Sequence, residues 1–382
     1  MAAQQNTAPR LLRVWDIPTR LFHWSLVLCV ATALITGYIT PEWWMGLHLV
    51  AGYAIVALLA FRLAWAFFGP EYSRLVSMVG SARKLHIHLR GLIMLRPPHY
   101  MGHNPAGSVM IIALFAVLCV LVMTGLVMLG GEEKQGPLAA VVEYATSTTA
   151  RRIHEFLAIV LMAMIATHIA GVLVEGRLLR IPLIRGMITG WLPVPADEAV
   201  PTPRAARPGY AAAALAVLVI PAAAVLLWLS SLPVPKLAVA EAANAVHVKE
   251  CGACHEPYHA SLLPSASWQA MMTGLGDHFG EDASLPAPAA AEITAYLVRN
   301  GAGAIDSEAS NRFRTVSPGE PLRITATPYW SNTHRKIADA VFALPAVLGK
   351  AHCSACHSDA LTGRFDDQSI TMPTSTTQKA SP

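Results

Sequence analysis

Charge is what this sequence lacks most. Asp, Glu, Lys and Arg make up 14 % of its 382 residues, against about 25 % in soluble globular proteins. Hydrophobic residues make up 54 % and the mean hydropathy is +0.45. A purely soluble protein is excluded, and a partner lipid bilayer is implied. The shortage is uneven, because apolar runs crowd residues 21–232 whereas residues 236–382 read as a soluble domain. A basic patch in that soluble part is also missing. The net charge of +4 comes from Lys and Arg gathered in loops between apolar runs, which argues against nucleic acid as a partner. No nucleophile beside a base, no phosphate-cradling glycine loop and no paired catalytic carboxylates stand out. The N-terminal region has no small-residue cleavage site after a short apolar stretch, so its first apolar run is expected to be retained as a span.

Cysteine is scarce as well, and its spacing argues against a disulfide framework. Four of the six form Cys251-Gly-Ala-Cys254-His255 and Cys353-Ser-Ala-Cys356-His357, two copies of the C-x-x-C-H pattern of c-type haem attachment, 102 residues apart. In that pattern each thiolate pair forms thioethers with a haem, and His255 and His357 are the proximal ligands. A structural zinc site is the alternative, and it would need a tetrahedral ligand set. Cys29 and Cys119 stand alone in apolar runs and read as small buried hydrophobes.

A helix needs about 20 apolar residues to cross a hydrocarbon core about 30 Å thick. Five runs qualify, at residues 21–40, 46–68, 107–130, 154–174 and 210–232, the last containing Pro221. Alternate loops on one side of these runs hold thirteen Lys and Arg; those on the other side hold three, Lys134, Arg151 and Arg152. The positive-inside rule then places the N-terminus in the cytoplasm. Five crossings put the C-terminal domain outside, where bacteria attach c-type haem. The proline-rich stretch 191–208 reads as an extended cytoplasmic linker, and the Ser/Thr-rich end from 373 as a disordered tail.

Four histidines stand in the apolar runs, where ionisable residues mark function. His154 and His168 lie 14 residues apart on one run, about 21 Å of rise and within about 40° of whole turns. They share a face at opposite depths. His23 opens the first run and His48 the second, so antiparallel packing pairs His23 with His168 near the cytoplasmic face and His48 with His154 near the outer face. Two facing His at each of two depths suit two bis-His b-type haems. Arg62, 14 residues after His48, either pairs with a propionate of the inner haem or snorkels to the interface. Gly37, Gly52, Gly125 and Gly171 offer a flat macrocycle close approach. The loop histidines His86, His88, His99 and His103 read as a solvated face.

The segments V-W-D-I-P-T-R-L-F-H-W at 14–24, G-H-N-P-A-G at 102–107, R-I-H-E at 152–155 and T-H-I-A-G at 167–171 resemble the bacterial cytochrome b561 and Ni,Fe-hydrogenase-type b cytochrome superfamily over residues 10–192. The resemblance implies a four-helix bundle that holds haem b and exchanges electrons with the quinone pool. Its ligand positions fall on His23, His48, His154 and His168.

For the sixth ligands of the C-x-x-C-H sites the residues leave His247, His259, His278, His334 and His352 open, with Met271 and Met272 as thioether alternatives. The stretches 262–269, 276–280 and 327–334 resemble a dihaem cytochrome c family with bis-His haems, over residues 245–365. That resemblance implies His278 and His334 as distal ligands and leaves His247 and His259 as surface residues.

The expected fold is an all-α membrane protein. It has a haem b bundle over 1–192, a linker and fifth transmembrane helix over 193–235, and a mainly α periplasmic dihaem cytochrome c domain over 236–382. The expected cofactors are two haem b and two covalently attached haem c, with quinone or quinol as substrate. The expected role is an inner-membrane electron carrier between the quinone pool and a periplasmic soluble redox protein, with quinol:cytochrome c-type oxidoreductase activity left open. The alternatives are a membrane subunit passing electrons from a periplasmic dehydrogenase to quinone, and a haem-based sensor.

Overall fold

The five apolar runs fold as helices. The computed structural model describes residues 10–75, 81–194, 204–233 and 244–373. In chain order the membrane part contains α1 (Ile17–Tyr38), α2 (Met45–Phe68), a shorter α3 (Ala82–Ile93), α4 (Pro105–Gly131), α5 (Tyr144–Leu179), a two-turn α6 (Leu183–Thr189) and α7 (Pro208–Ser230). Of these, α1, α2, α4, α5 and α7 are long and apolar enough to span a bilayer. The proline-rich residues 195–203, the segment 234–243 and the tail 374–382 lie outside the described residues.

The chain divides into two units. The first holds Met1–Thr40, Leu47–Gly125 and Arg152–Leu226. Its core gathers Val30 from α1, Ile55 and Leu59 from α2, Leu118 and Leu121 from α4, and Ala158 and Leu161 from α5. Each pair is spaced three or four residues apart, the repeat that lines one helix face. Four such faces meeting make a four-helix bundle, and Cys29 and Cys119 pack against its core as the expected small hydrophobes. Leu28, Val50, Met123 and Phe156 turn outward and are more than half exposed, as lipid-facing residues do.

One end of this bundle is closed by a short ribbon absent from the sequence reading, in which β1 (Arg10–Arg13) pairs antiparallel with β2 (Trp191–Val194). Its pivot is Gly190, at φ +91°, where a Cβ would stand 2.6 Å from the Trp15 carbonyl oxygen. The W-D-I-P-T run acquires a structural reason here. Asp16 accepts hydrogen bonds from Thr19 Oγ1 (2.5 Å), Ser73 Oγ (3.0 Å) and Trp65 Nε1 (2.9 Å), tying α1 to α2 and the turn after it.

Helix α5 starts ten residues before the expected 154. Its 36 residues rise about 54 Å, well beyond a hydrocarbon core of about 30 Å. Hydropathy alone discards its polar first turns, whereas the helix is held there by tertiary partners. The Asp306 carboxylate accepts from the first backbone N–H, at Tyr144 (3.1 Å), where the helix dipole favours an anion.

The second unit holds Pro41–Gly46, Leu126–Arg151 and Leu227–Pro382. It is built from short helices and single 3-10 turns: α8 (Ala245–Cys251), α9 (Ser265–Thr273), α10 (Ala287–Arg299), α11 (Glu308–Arg312), α12 (Pro328–His334) and α13 (Asp339–Phe342). Prolines set where several begin. Pro264 and Pro286 stand at N-caps and Pro328 in the first turn, where a missing N–H costs nothing. Leu262, Leu263, Trp268, Ile293, Leu297 and Phe313 form the core, with Trp268 Nε1 donating to the Ala260 carbonyl (2.6 Å). Within this unit the segment 126–151 packs on residues 306–368. Lys134 Nζ lies 2.5 Å from Asp306, Arg312 sits over the Tyr144 ring, and Gln368 donates to Gln135 (2.6 Å).

Candidate functional site

Three pairs of histidine rings recur at one spacing. The ring centres of His48 and His154 are 6.3 Å apart, those of His255 and His278 6.1 Å, and those of His334 and His357 6.2 Å. Two metal–imidazole bonds of about 2 Å, with about 1.1 Å from each nitrogen to its ring centre, add to about 6.2 Å. The residues present therefore fit one iron between each pair. Among the described residues no group of three or more His, Cys, Asp or Glu could hold a metal ion, so the histidines form pairs and not clusters.

In the bundle, His48 and His154 are each held from a neighbouring helix, His48 Nδ1 also lying 3.1 Å from the Ala33 carbonyl oxygen. Thr36 Oγ1 lies 3.0 Å from His48 Nδ1, and Thr124 Oγ1 lies 2.9 Å from His154 Nδ1. Each hydroxyl donates its proton to a carbonyl one turn back, Thr32 O at 2.7 Å and Val120 O at 2.9 Å. The oxygen is then free to accept from Nδ1–H. That fixes the tautomer and leaves the Nε2 lone pair for a metal, the second-shell arrangement of ligating imidazoles. The residue after each threonine is glycine, and a Cβ at Gly37 or Gly125 would stand 3.6 Å or 3.5 Å from the same imidazole. These two glycines thus border the histidine rings at ordinary contact distance. Gly52 and Gly171 have nothing within 4 Å of a Cβ position, which leaves room for a flat group.

At the other end of the bundle His23 and His168 lie within electrostatic reach of each other, and His23 Nδ1 is buried without a partner. Arg62 does not snorkel: it is buried and donates to the Ser73 carbonyl (3.0 Å). His103 belongs to this group, contrary to the solvated-face expectation. Its ring packs on Trp15 at 4.6 Å, and burial, aided by Arg62 and His168, pushes its imidazole down to about 3. His88 is also corrected, being fully buried against Tyr100, with neither ring nitrogen bonded. A helix with one apolar face turns His88 inward while its neighbours His86 and Leu89 face out. His86 and His99 are exposed as expected.

In the second unit the clamps are backbone carbonyls. His255 Nδ1 donates to Glu256 O (2.7 Å) and His334 Nδ1 to Trp330 O (2.9 Å), again leaving Nε2 free. Aromatic rings pack on each pair, Tyr258 on His255 (4.9 Å), Trp330 on His334 (4.5 Å) and Phe365 on His357 (5.3 Å). None of the four motif cysteines is paired in a disulfide; Cys251, Cys353 and Cys356 are half-buried and Cys254 is exposed.

His247 and His259, expected at the surface, are both buried, and burial pushes each down to about 4. His247 packs on Tyr296 (5.4 Å). His259 Nδ1 lies 2.8 Å from Ser261 Oγ and 3.3 Å from the Ser261 backbone nitrogen, while its Nε2 is buried without a hydrogen-bond partner. Met271 and Met272 pack against the hydrophobic core. His352 Nδ1 donates to Val347 O (3.0 Å). Sequence reasoning missed Thr36 and Thr124; the repeated Thr-Gly pair at 36–37 and 124–125 is the signal that marks them.

Comparison with known proteins matches two separate parts of the chain. Residues 14–190 match the family model described as prokaryotic cytochrome b561, and residues 247–365 match that of dihaem cytochrome c. A probable Ni/Fe-hydrogenase 1 B-type cytochrome subunit from Escherichia coli is 30 % identical over 29 % of this chain and 57 % of its own length. The chain thus spans little more than half of that curated relative. Two solved dihaem c-type cytochromes are similar to the C-terminal part. The one from Shewanella baltica is 34 % identical over 34 % of this chain and 93 % of its own, at a TM-score of 0.28. That from Rhodobacter sphaeroides is 35 % identical over 31 % and 93 %, at 0.27.

Proposed function

We propose that this membrane electron-transfer protein, whose residues 14–190 match the prokaryotic cytochrome b561 model and residues 247–365 the dihaem cytochrome c model, carries two b and two c haems and links the quinone pool to a periplasmic redox partner. His23 with His168 and His48 with His154 hold the b haems. Cys251, Cys254 and His255, with His278 distal, hold one c haem; Cys353, Cys356 and His357, with His334 distal, hold the other. The single observation that carries three of these four pairs is the recurrence of ring spacings of 6.1–6.3 Å; His23 and His168 are paired by their electrostatic proximity.

Haem iron bound this way exchanges one electron at a time between ferrous and ferric states. The chain's own residues do the rest. Thr36 and Thr124 hold the outer imidazoles in one tautomer, Arg62 places a buried cation at the inner level, and Tyr258, Trp330 and Phe365 exclude water from the outer rings. The count of basic loop residues supports a cytoplasmic N-terminus and a periplasmic C-terminal domain in the bacterial inner membrane. Domain limits at 1–192, 193–235 and 236–382 follow from the same reading. Electrons run from quinol outward, since an outer domain with two haems gives an exposed exit.

A second reading is favoured by the relatives, which are named as hydrogenase subunits. The chain then takes electrons from a periplasmic dehydrogenase and passes them inward to quinone. The test of the ligand set is a pyridine haemochrome spectrum of the full-length protein. Equal amounts of b and c haem are expected, with only the c haem surviving a denaturing gel. A ratio far from one to one contradicts the four-haem reading.

A further inference from the structure

Glu256 is the residue directly after the first C-x-x-C-H motif, yet its side chain serves the second. Its carboxylate accepts from the Cys353 backbone N–H (2.5 Å), the Ser354 backbone N–H (3.1 Å) and the Ser354 hydroxyl. Its own carbonyl oxygen accepts from His255 Nδ1 (2.7 Å). One residue thus bonds the proximal histidine of one site and the attachment loop of the other, across 97 residues of sequence. The side chain is only 11 % exposed, so its charge is poorly screened, and it lies within electrostatic reach of His357. A second strap runs beside it, from Tyr258 Oη to the Ala351 carbonyl (2.8 Å), and Tyr258 stacks on His255.

We propose that Glu256 is a positioning residue shared by the two C-x-x-C-H sites, which fixes the second attachment loop and sets the negative charge beside the haem held there. A carboxylate has only acceptor sites, and three donors, two of them backbone N–H groups, lock it in one orientation. A fixed anion near the site favours the ferric state, which carries one more positive charge, and so lowers the potential of that haem. The first site receives only the neutral backbone carbonyl of Glu256, which substitution of the side chain leaves in place. Loss of the charge therefore acts unequally on the two sites.

The inference rests on the reading of both motifs as haem c attachment sites, and the test separates the two. Full-length wild type, Glu256→Gln, Glu256→Asp and Ser354→Ala proteins are compared by intact mass, by low-spin absorption spectrum and by redox titration of the c haems. The two couples are assigned by the one that rises in a His278→Met variant, since a thioether ligand raises the potential. In Glu256→Gln, both haems stay covalent and low-spin. At the potential where the second site is half reduced in wild type, its reduced-to-oxidised ratio rises about tenfold, a shift of about 59 mV for one electron. The first site moves by less than half of that. Glu256→Asp restores most of the wild-type value. Ser354→Ala, a milder change, removes one donor that compensates the charge and shifts the second site the opposite way. Fewer than two covalent haems in wild type overturns the site reading and this inference together. Two covalent haems with unmoved or equally moved couples in Glu256→Gln, or an upward shift in Ser354→Ala, overturns the role of Glu256 alone.

Discussion

The outer histidine pair of the bundle and the two pairs of the second unit share a ring spacing but are held by different means. His48 and His154 come from helices far apart in the chain, and threonine hydroxyls on two further helices orient them. His255 and His334 are oriented by carbonyls one and four residues away. On the proposed ligand set the bundle site exists only when four helices are packed, whereas the sites of the second unit are largely local and have a cysteine pair beside each proximal histidine. The lesson is about what each site needs to survive: the bundle needs every helix, whereas the second unit needs its short loops and, on the proposed reading, two thioethers at each of its two sites.

Substitution of ligands separates the two regimes most strongly. His154→Ala is expected to lose the outer b haem completely and keep the inner one, His168→Ala the reverse, while His278→Ala keeps its haem attached and becomes five-coordinate. Absorption spectra and haem-stained gels check this, and identical spectra from His154→Ala and His168→Ala would break the depth pairing. Next in size, Thr124→Val keeps shape but removes the hydroxyl acceptor for His154 Nδ1–H, whereas Thr36→Val leaves His48 Nδ1 the Ala33 carbonyl at 3.1 Å and is expected to cost less. Loss of such a second-shell partner lowers affinity by about 10–100-fold, read as haem b released on dilution with c haem unchanged.

Smaller effects probe the frames around the sites. Gly190→Ala puts a Cβ against the Trp15 carbonyl at a left-handed φ and is expected to cost about 1–3 kcal/mol, measured as earlier thermal loss of b haem and not of the outer unit. In that outer unit Glu133 Oε2 accepts from the Asp367 backbone N–H (3.2 Å). Burial, with Asp367, Glu308 and Asp366 nearby, pushes Glu133 up to about 9. Burial, with Glu308 and Glu42 facing it, pushes Asp367 up to about 8 against nearby Arg151. Both folded values exceed the unfolded ones, so this stability is full below about pH 4 and is lost as pH rises through 8 to 9. The slope is up to about 1.4 kcal/mol per pH unit for each proton. The melting temperature of the outer unit is expected to fall over that window in wild type and less steeply in Glu133→Gln; parallel curves would break the account.

Much of this was legible before folding, for different reasons in the two regions. The C-x-x-C-H motifs announce themselves because the chemistry needs fixed local spacing. The bundle histidines show because an imidazole in an apolar run is costly, and a 14-residue interval returns to the same face. Thr36 and Thr124 were not legible as ligand holders, since a hydroxyl in an apolar helix bonds its own turn whatever else it does. Glu256 was invisible because its partners lie at 353 and 354. Burial of His247, His259 and His103 depends on packing that periodicity in short helices and loops does not encode, and the β1–β2 ribbon joins segments some 180 residues apart.

The central claim is that electrons pass between the quinone pool and the outer haems by way of both bundle sites. Its most direct test mixes a quinol with full-length protein in vesicles and follows b and c haem reduction by stopped-flow absorbance, beside a His168→Ala variant. The account predicts b reduction followed by c reduction in the intact protein, and c haems that stay oxidised in the variant. If the c haems of the intact protein stay oxidised with quinol while a reduced periplasmic donor readily reduces the b haems, the outward direction is contradicted and the inward one holds.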